Sequence, residues 1–491
     1  MSDAYASLVK KHQEISLIDT TSATLEWDHE TKLPAKALAY RAEQIAYLSG
    51  KTHELSSNDD YAKLLAAAEE NNDGDLTSLA NLREWRHQFE RSTRLSLDIV
   101  ERDSRASSHA KAAWSKAREQ SDFSLFAPHM QTLLTIAKEK AELWGYRDEA
   151  YDALLENYER GAKTRDIVSI FDQFKPALIS LASEAVAKST SKTTRKIEGS
   201  FPINKQQELN RAVAESIGFD FDAGRIDTTT HPFCTTLGPA DVRLTTRYYD
   251  NDFTASLFGV MHEAGHGLYE QGLRESDFGL PSGSAVSLGI HESQSLLWEA
   301  HVGRSQAFWN HWMPKAQELF PQLSDWSVEE FLQTINQANY SAIRVDADEA
   351  TYDLHVLLRF DIERRLINGE LAVEDIPEAW NESFEESFNM RPKSDSEGCL
   401  QDIHWAMGGL GYFPTYTLGN LNASQLFHAA TQNESILNSF NNAEFKPLLE
   451  WMRNSIHSHG STLLPQDLMT QATGESTNPK YHLNHLTQRF L

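Results

Sequence analysis

Cysteine is nearly absent: the 491-residue chain has two, Cys234 and Cys399. One pair cannot build a disulfide framework, and its spacing is not that of a zinc ribbon. Proline and glycine are sparse, at 15 and 24 residues, which suits long helices with short joints. No stretch approaches 18 uninterrupted apolar residues, so no membrane span is expected. The start, MSDAYASLVKKHQE, lacks an apolar h-region, so no secretory signal is expected either. Positive charge is also scarce. Lys and Arg number 45 against 71 Asp and Glu, for a formal net charge of −26. A field of that sign repels phosphate backbones and anionic lipid, which argues against nucleic acid and membranes as partners. What the chain does have is apolar material: 40% hydrophobic and 10% aromatic residues. That supplies a large core and excludes global disorder. The expectation is a large, acidic, cytoplasmic globular protein.

Helical periodicity dominates. In TRDIVSIFDQFKPALISL (164–181), Ile167, Ile170, Phe171, Phe174, Leu178 and Leu181 fall on one helix face. Thr164 is placed to cap it, and Pro176 should kink it or start a second helix. Similar patterns cover 76–118, 124–144, 205–217, 328–339, 348–367 and 446–457. Residues 183–200 are the most polar and read as a surface loop. Residues 228–250, rich in Thr, Val, Tyr and Phe around Gly238-Pro239, read as a small hairpin or sheet inserted in the helical protein. No repeat and no composition break divides the chain. The expected architecture is mostly α, one large helical body over 1–491 with a β insert at about 228–250.

Residues 262–266 read His-Glu-Ala-Gly-His inside DFTASLFGVMHEAGHGLYEQG. Asp252 or Thr254 can cap a helix there and Gly272 can end it. Leu257, Val260, Met261, Ala264 and Leu268 give that helix a buried side. His262 and His266 then stand one turn apart on one face, where both imidazoles can reach one tetrahedral ion. Glu263, rotated by about 100°, stands beside the ion and can take a proton from the water it activates. A catalytic site needs a third protein ligand and an open fourth position. Glu270, two turns from His262 on the same helix, cannot converge with both histidines. Glu292 and Glu299 share a face of the next helical stretch, SLGIHESQSLLWEA, and spacing alone does not choose between them. The dense polar run His291-Glu292-Ser293-Gln294 favours Glu292, leaving Glu299 as a supporting acid.

HEAGH followed by HESQ resembles the M32 family of metallocarboxypeptidases, the carboxypeptidase Taq type. Further motifs follow the family order: His231-Pro232-Phe233 (HPF), Asp241 to Thr245 (DxRxT), Ile343 to Asp348 (IRxxAD), Gly398 to Trp405 (GxxQDxHW) and Gly411 to Tyr416 (GYFPTY). Trp27 to Thr31 and Arg41 to Gln44 also look familial, so the resemblance covers nearly the whole chain. It implies a mostly helical, saddle-shaped fold with a deep active-site groove, commonly a homodimer. It implies one zinc ion per chain, with cobalt as the alternative, and stepwise release of C-terminal amino acids from peptides with a free C-terminal carboxylate. It also implies Glu292 as the third ligand, with His262 and His266.

The remaining chemistry needs a proton carrier, an oxyanion donor and a carboxylate anchor. Glu263 is the general base. Tyr412 and Tyr416 are candidate donors to the oxyanion. Arg344 is the candidate anchor, because a planar fork suits a carboxylate. The alternative for Arg344 is a structural pair with Asp346, Asp348 or Glu349, and Arg243 and Arg247 are its rivals as anchor. The strand from Val242 to Tyr248 is expected to align an extended substrate by backbone pairing. His231 could close the groove end, or simply hold a turn. His404 is expected to bond substrate or orient a ligand, or else to be a buried histidine bonded to Asp402 or a backbone carbonyl. No catalytic role falls to Trp27 to Thr31. Two other functions stay open: an oligo-endopeptidase of the same chemistry, and a helical binding scaffold with a structural metal site.

Overall fold

A computed structural model describes residues 2–71 and 74–491, and helices dominate it. The periodic stretches fold as expected, with informative shifts at their ends. The 76–118 stretch forms two helices, Leu76–Arg94 and Leu97–Gln120, because Ser96 turns extended and caps the second through Ile99 N. The 164–181 stretch is one helix, Thr164–Ser191. Pro176 neither breaks nor ends it: the residue is exposed, as is Asp172 one turn back, so the carbonyl left without a partner faces water. Phe174, Leu178, Leu181, Ala182 and Ala185 stay buried through the proline. The helix therefore takes up half of the expected 183–200 loop. Thr164 is the first helical residue rather than the cap, and its N–H and hydroxyl both donate to Asp152 Oδ1, at 2.7 and 2.6 Å.

The β insert is a three-stranded sheet: β1 (Gly224–Thr228), β2 (Cys234–Gly238) and β3 (Asp241–Thr246), in spatial order β1-β3-β2. It begins four residues earlier than the 228 boundary read from sequence. β3 pairs parallel with β1 and antiparallel with β2. This corrects the expectation for Val242 to Tyr248: a central strand has both edges taken and cannot add a substrate strand. Both outer strands, β1 and β2, keep one edge facing away from β3. Thr235 pairs with Arg243 and Phe233 O accepts from Thr245 N, so strand alternation turns the backbone of Cys234 and Thr236 outward.

Two large apolar clusters meet at the site. One gathers Phe171, Phe174, Leu354, Leu357, Phe360, Trp380 and Trp405. The other gathers Val242, Leu244, Leu257, Met261, Leu268, Trp298, Trp309 and Phe331. Helix Pro414–Thr431 belongs to both, giving Leu418 and Leu421 to the first and Ala423, Leu426 and Ala430 to the second. A third, small cluster of Tyr5, Leu8, Tyr61, Leu65 and Trp85 ties the N-terminal helices together. Helix Leu38–Ser57 is different, since none of its residues is buried.

Helix Leu288–Leu296 lies between helices Phe253–Glu270 and Pro414–Thr431 and touches each at a glycine. A Cβ on Gly265 would lie 2.6 Å from Gln294 O and from Ser295 Cα. A Cβ on Gly419 would lie 2.6 Å from Glu292 Cγ. Gly265→Ala must push two backbones apart at an overpacking cost of about 1–3 kcal/mol. Urea unfolding is expected to show that loss, and metal titration a weaker site. Unchanged values for both would contradict the contact.

Candidate metal centre and active site

Asp252 caps helix Phe253–Glu270, its Oδ1 accepting from Thr254 N and Ala255 N at 2.9 and 3.3 Å. His262 and His266 stand on the helix face turned toward helix Leu288–Leu296. Their Nε2 atoms lie 3.9 and 3.6 Å from Glu292 Oε2. One ligand atom from each residue comes within 4.8 Å of the others. A tetrahedral ion with bonds of about 2.1 Å sets its donors about 3.4 Å apart, so these three residues fit one. The chemistry of the donor set agrees, because each histidine commits its other nitrogen elsewhere. His262 Nδ1 lies 2.9 Å from Glu299 Oε2, and His266 Nδ1 lies 3.0 Å from the His291 carbonyl. Acceptors at Nδ1 leave both Nε2 lone pairs facing Glu292.

Glu299 reaches His262 from a π-helical turn, Leu297–Val302, that continues the Glu292 helix. The wider turn rotates Glu299 further off the Glu292 face than an α-helix would. Its second oxygen faces Arg304 at 3.7 Å. On the other side a hydrogen-bonded chain leads away from the metal ligand. His291 Nδ1 lies 2.6 Å from His266 Nδ1, His291 Nε2 lies 2.9 Å from Glu270 Oε1, and Glu270 Oε2 accepts from Thr236 Oγ1 on β2 at 2.8 Å. Glu270 thus stays off the ligand set. Glu263 is buried beside the three ligands, and burial pushes its carboxyl up to about 7. Nearby His262 opposes that rise while Glu292 and Glu299 add to it.

Tyr352, Tyr412 and Tyr416 stand near Glu292, whose charge each of them feels. The Tyr412 and Tyr416 rings are 5.3 Å apart. Tyr352 lies 6.2 Å from Tyr416. Burial raises the pKa of all three, so they are neutral donors at ordinary pH. His404 Nε2 lies 3.3 Å from Tyr416 Oη, and burial lowers its pKa to about 4. Its partner is therefore the tyrosine and not Asp402.

Arg344 is buried beneath this group. Its Nε and Nη2 donate to Asp402, the latter at 2.8 Å, and its Nη1 donates to Tyr352 Oη at 2.7 Å. Of the acids weighed from sequence, Asp346 is exposed, Asp348 accepts from Asn339 N and Ala350 N, and Glu349 pairs with His485 and Arg489. Asp402 also pairs with the wholly buried Arg359, at 2.6 Å. Two guanidiniums thus share one carboxylate and leave one positive charge over. The remaining Nη1 and Nη2 protons of Arg344 have no acceptor among the described residues.

A family model described as Carboxypeptidase Taq (M32) metallopeptidase matches residues 7–490. The chain belongs to the M32 family. It is a metallocarboxypeptidase, an enzyme that releases C-terminal residues. Thermostable carboxypeptidase 1 of Thermus thermophilus is 38% identical to it, over 99% of this chain and 98% of that protein. Carboxypeptidase 1 of Bacillus subtilis is 36% identical, over 97% and 96%. The crystal structure of the M32 carboxypeptidase from Deinococcus radiodurans superposes with a TM-score of 0.96 at 35% identity, covering 100% of this chain and 99% of that one.

In this M32 carboxypeptidase a cleft of about 830 Å³ opens beside the metal centre, lined by His12, Trp85, Arg91, Tyr158, Val286 and His291 among others. Tyr158 joins it to the tyrosines, its ring 5.1 Å from Tyr412. His231 is exposed on the link between β1 and β2. Arg243 is paired with Asp241 at 2.7 Å and stacked on Trp27 at 4.4 Å, so it joins helix Asp3–Thr31 to the sheet. Arg247 is exposed, donating to Thr230 O and lying over Tyr249. Sequence reading missed Tyr352 and Arg359, which carry no motif of their own. One signal was present: both lie on helix Tyr352–Asn368, directly after IRxxAD.

The ligand assignment separates two carboxylates. Glu292→Ala is expected to abolish tight metal binding, whereas Glu299→Ala should weaken it by about 10- to 100-fold, as for other partners of metal-bound histidines. Competition with a chelating dye reads both. A variant order opposite to this one exchanges the two roles.

Proposed function

We propose that His262, His266 and Glu292 hold one zinc ion, with cobalt as the alternative, and that Glu263 is the general base. A divalent ion bound there polarises the scissile carbonyl and lowers the pKa of water. Glu263, buried and adjacent, takes the proton of the attacking water and passes it to the leaving amine. Tyr412 and Tyr416, neutral and near Glu292, donate to the developing oxyanion. His404 holds the Tyr416 hydroxyl or meets the substrate directly. The open edge of β2 aligns the extended peptide, and His231 lies at the entrance to that strand. Arg243 serves the substrate by fixing the sheet rather than by touching the peptide.

The observation that carries exopeptidase specificity is the shared carboxylate of Arg344 and Arg359. The surplus positive charge and the unused Arg344 protons suit a substrate's terminal carboxylate. We propose further that the chain works as one peptidase domain, in a cytoplasmic homodimer. Mass spectrometry of a mixed peptide digest, with and without chelator, tests the function. Single residues lost from C-termini in a metal-dependent way support it, and internal fragments would point to an oligo-endopeptidase instead.

Glu263→Gln leaves the three ligands in place and removes the base. It should bind a full equivalent of metal and lose at least about 10²–10⁴-fold in kcat. Near-normal turnover with full metal refutes the assignment. Arg344→Ala should narrow the preference for free-acid peptides over their C-terminal amides. An unpaired buried fork costs about 2–5 kcal/mol, roughly 30- to 5,000-fold in kcat/KM. Arg344→Lys should recover little of that, because a point charge does not reproduce the fork. If Arg344→Ala leaves the acid-over-amide ratio intact, the carboxylate is bound elsewhere.

A further inference from the structure

Glu363 lies on the same helix as Tyr352 and Arg359, Tyr352–Asn368, and is wholly buried. Among the described residues no cation bonds to it. Its carboxylate instead gathers three neutral donors, two from one loop and one from helix Ala150–Leu155. Oε1 accepts from the Trp405 indole Nε1 at 2.7 Å. Oε2 accepts from Gly411 N at 2.9 Å and from Tyr151 Oη at 2.6 Å. An unpaired carboxyl in an apolar core is costly, and burial pushes this one up to about 7.

The placement of the donors gives the group a purpose. Trp405 and Gly411 are the two ends of one loop, and the residues immediately outside those ends are His404 and Tyr412. Between them a single 3-10 turn, Trp405–Met407, gives way to a run of glycines. Gly408 and Gly411 take positive φ, 74° and 92°, and Gly409 lies between them. One side chain therefore fixes both ends of a glycine-rich loop whose flanks carry two residues of the site.

We propose that Glu363 is a positioning residue: by clamping Trp405 and Gly411 it sets where the Tyr412 hydroxyl meets the developing oxyanion. This rests on Tyr412 acting as a donor. The residue touches neither substrate nor metal, so it acts through the loop alone. A glutamine at 363 has one acceptor oxygen and must turn its amide N–H toward the indole N–H or toward Gly411 N–H, which releases one end of the clamp.

The test is a double-mutant cycle on the metal-loaded enzyme, with Tyr412→Phe, Glu363→Gln and both together, and Tyr151→Phe as control. Tyr151 supplies the third bond of the same carboxylate but is not on the loop. Tyr412→Phe should lower kcat by about 10²-fold, in the range for loss of one oxyanion donor. Glu363→Gln should lower kcat by about 10- to 100-fold with KM and metal content unchanged, as displacement of a catalytic group does. In the Tyr412→Phe background the same change should cost less than about twofold, because the displaced hydroxyl is already gone. Tyr151→Phe should lower the melting temperature and leave kcat within about twofold. If Glu363→Gln fails to fold, Glu363→Asp, which keeps the charge but falls short of one loop end, is read in the same way. A silent Tyr412→Phe overturns the donor reading and the clamp with it. If Tyr412→Phe does cost activity, the clamp alone is overturned by any of three results: full activity in Glu363→Gln, losses that multiply in the double variant, or an equal loss in Tyr151→Phe.

Discussion

Everything at the metal centre depends on two helix backbones touching at Gly265. Side chains of ordinary size keep helix axes about 8–10 Å apart. Here the second glycine of the HEAGH helix removes its own side chain at the crossing, and the carbonyl of Gln294 fills the space. The approach is antiparallel, with His262 facing Glu299 and His266 facing Glu292 and His291. Each histidine therefore receives its orienting partner from the same facing segment that carries Glu292, the candidate carboxylate ligand. Gly419 does the same on the far side, so the Glu292 side chain is seated from behind. The ligand geometry is thus a product of helix packing, and the residues that enforce it are mostly those with no side chain.

The second organising feature is electrostatic. The chain is strongly acidic as a whole and its metal centre is ringed by Glu263, Glu292 and Glu299, yet the neighbouring wall carries a surplus guanidinium. Asp402 cannot neutralise both Arg344 and Arg359. That imbalance is expensive in a buried place unless an anion completes it. Tyr352 and Tyr416 line the same charge with the faces and hydroxyls of neutral rings, which lets it point into the site without a fixed acid to quench it.

The sequence made the local chemistry legible and the long-range chemistry obscure. HEAGH announced itself because a helix places i and i+4 together, and Asp252 was readable as its cap. Glu292 against Glu299 was undecidable from spacing, since seven residues return a regular helix to nearly the same face. A π turn breaks that regularity, and no residue pattern marks it. Arg344 and Asp402 are joined across 58 residues, so the acids beside Arg344 in the chain were the natural but wrong partners to weigh. The substrate role read for Val242 to Tyr248 failed for a similar reason: nothing in that segment shows that β3 inserts between β1 and β2 and has both edges taken. Pro176 was read from its intrinsic preference, and the buried phenylalanine and leucines on either side of it outweighed that preference.

The cleft does not have walls of equal strength. One side includes Val286 and His291, beside and on helix Leu288–Leu296, which packs into the second large core. The opposite wall includes Thr52 and Ser56 of helix Leu38–Ser57, which buries none of its side chains. Segments with so few apolar contacts open at a small fraction of the global unfolding free energy. In hydrogen exchange this helix will lose its amide protection long before the metal helices do. The candidate metal site thus sits on slowly exchanging helices, while one wall of the neighbouring cleft exchanges fast.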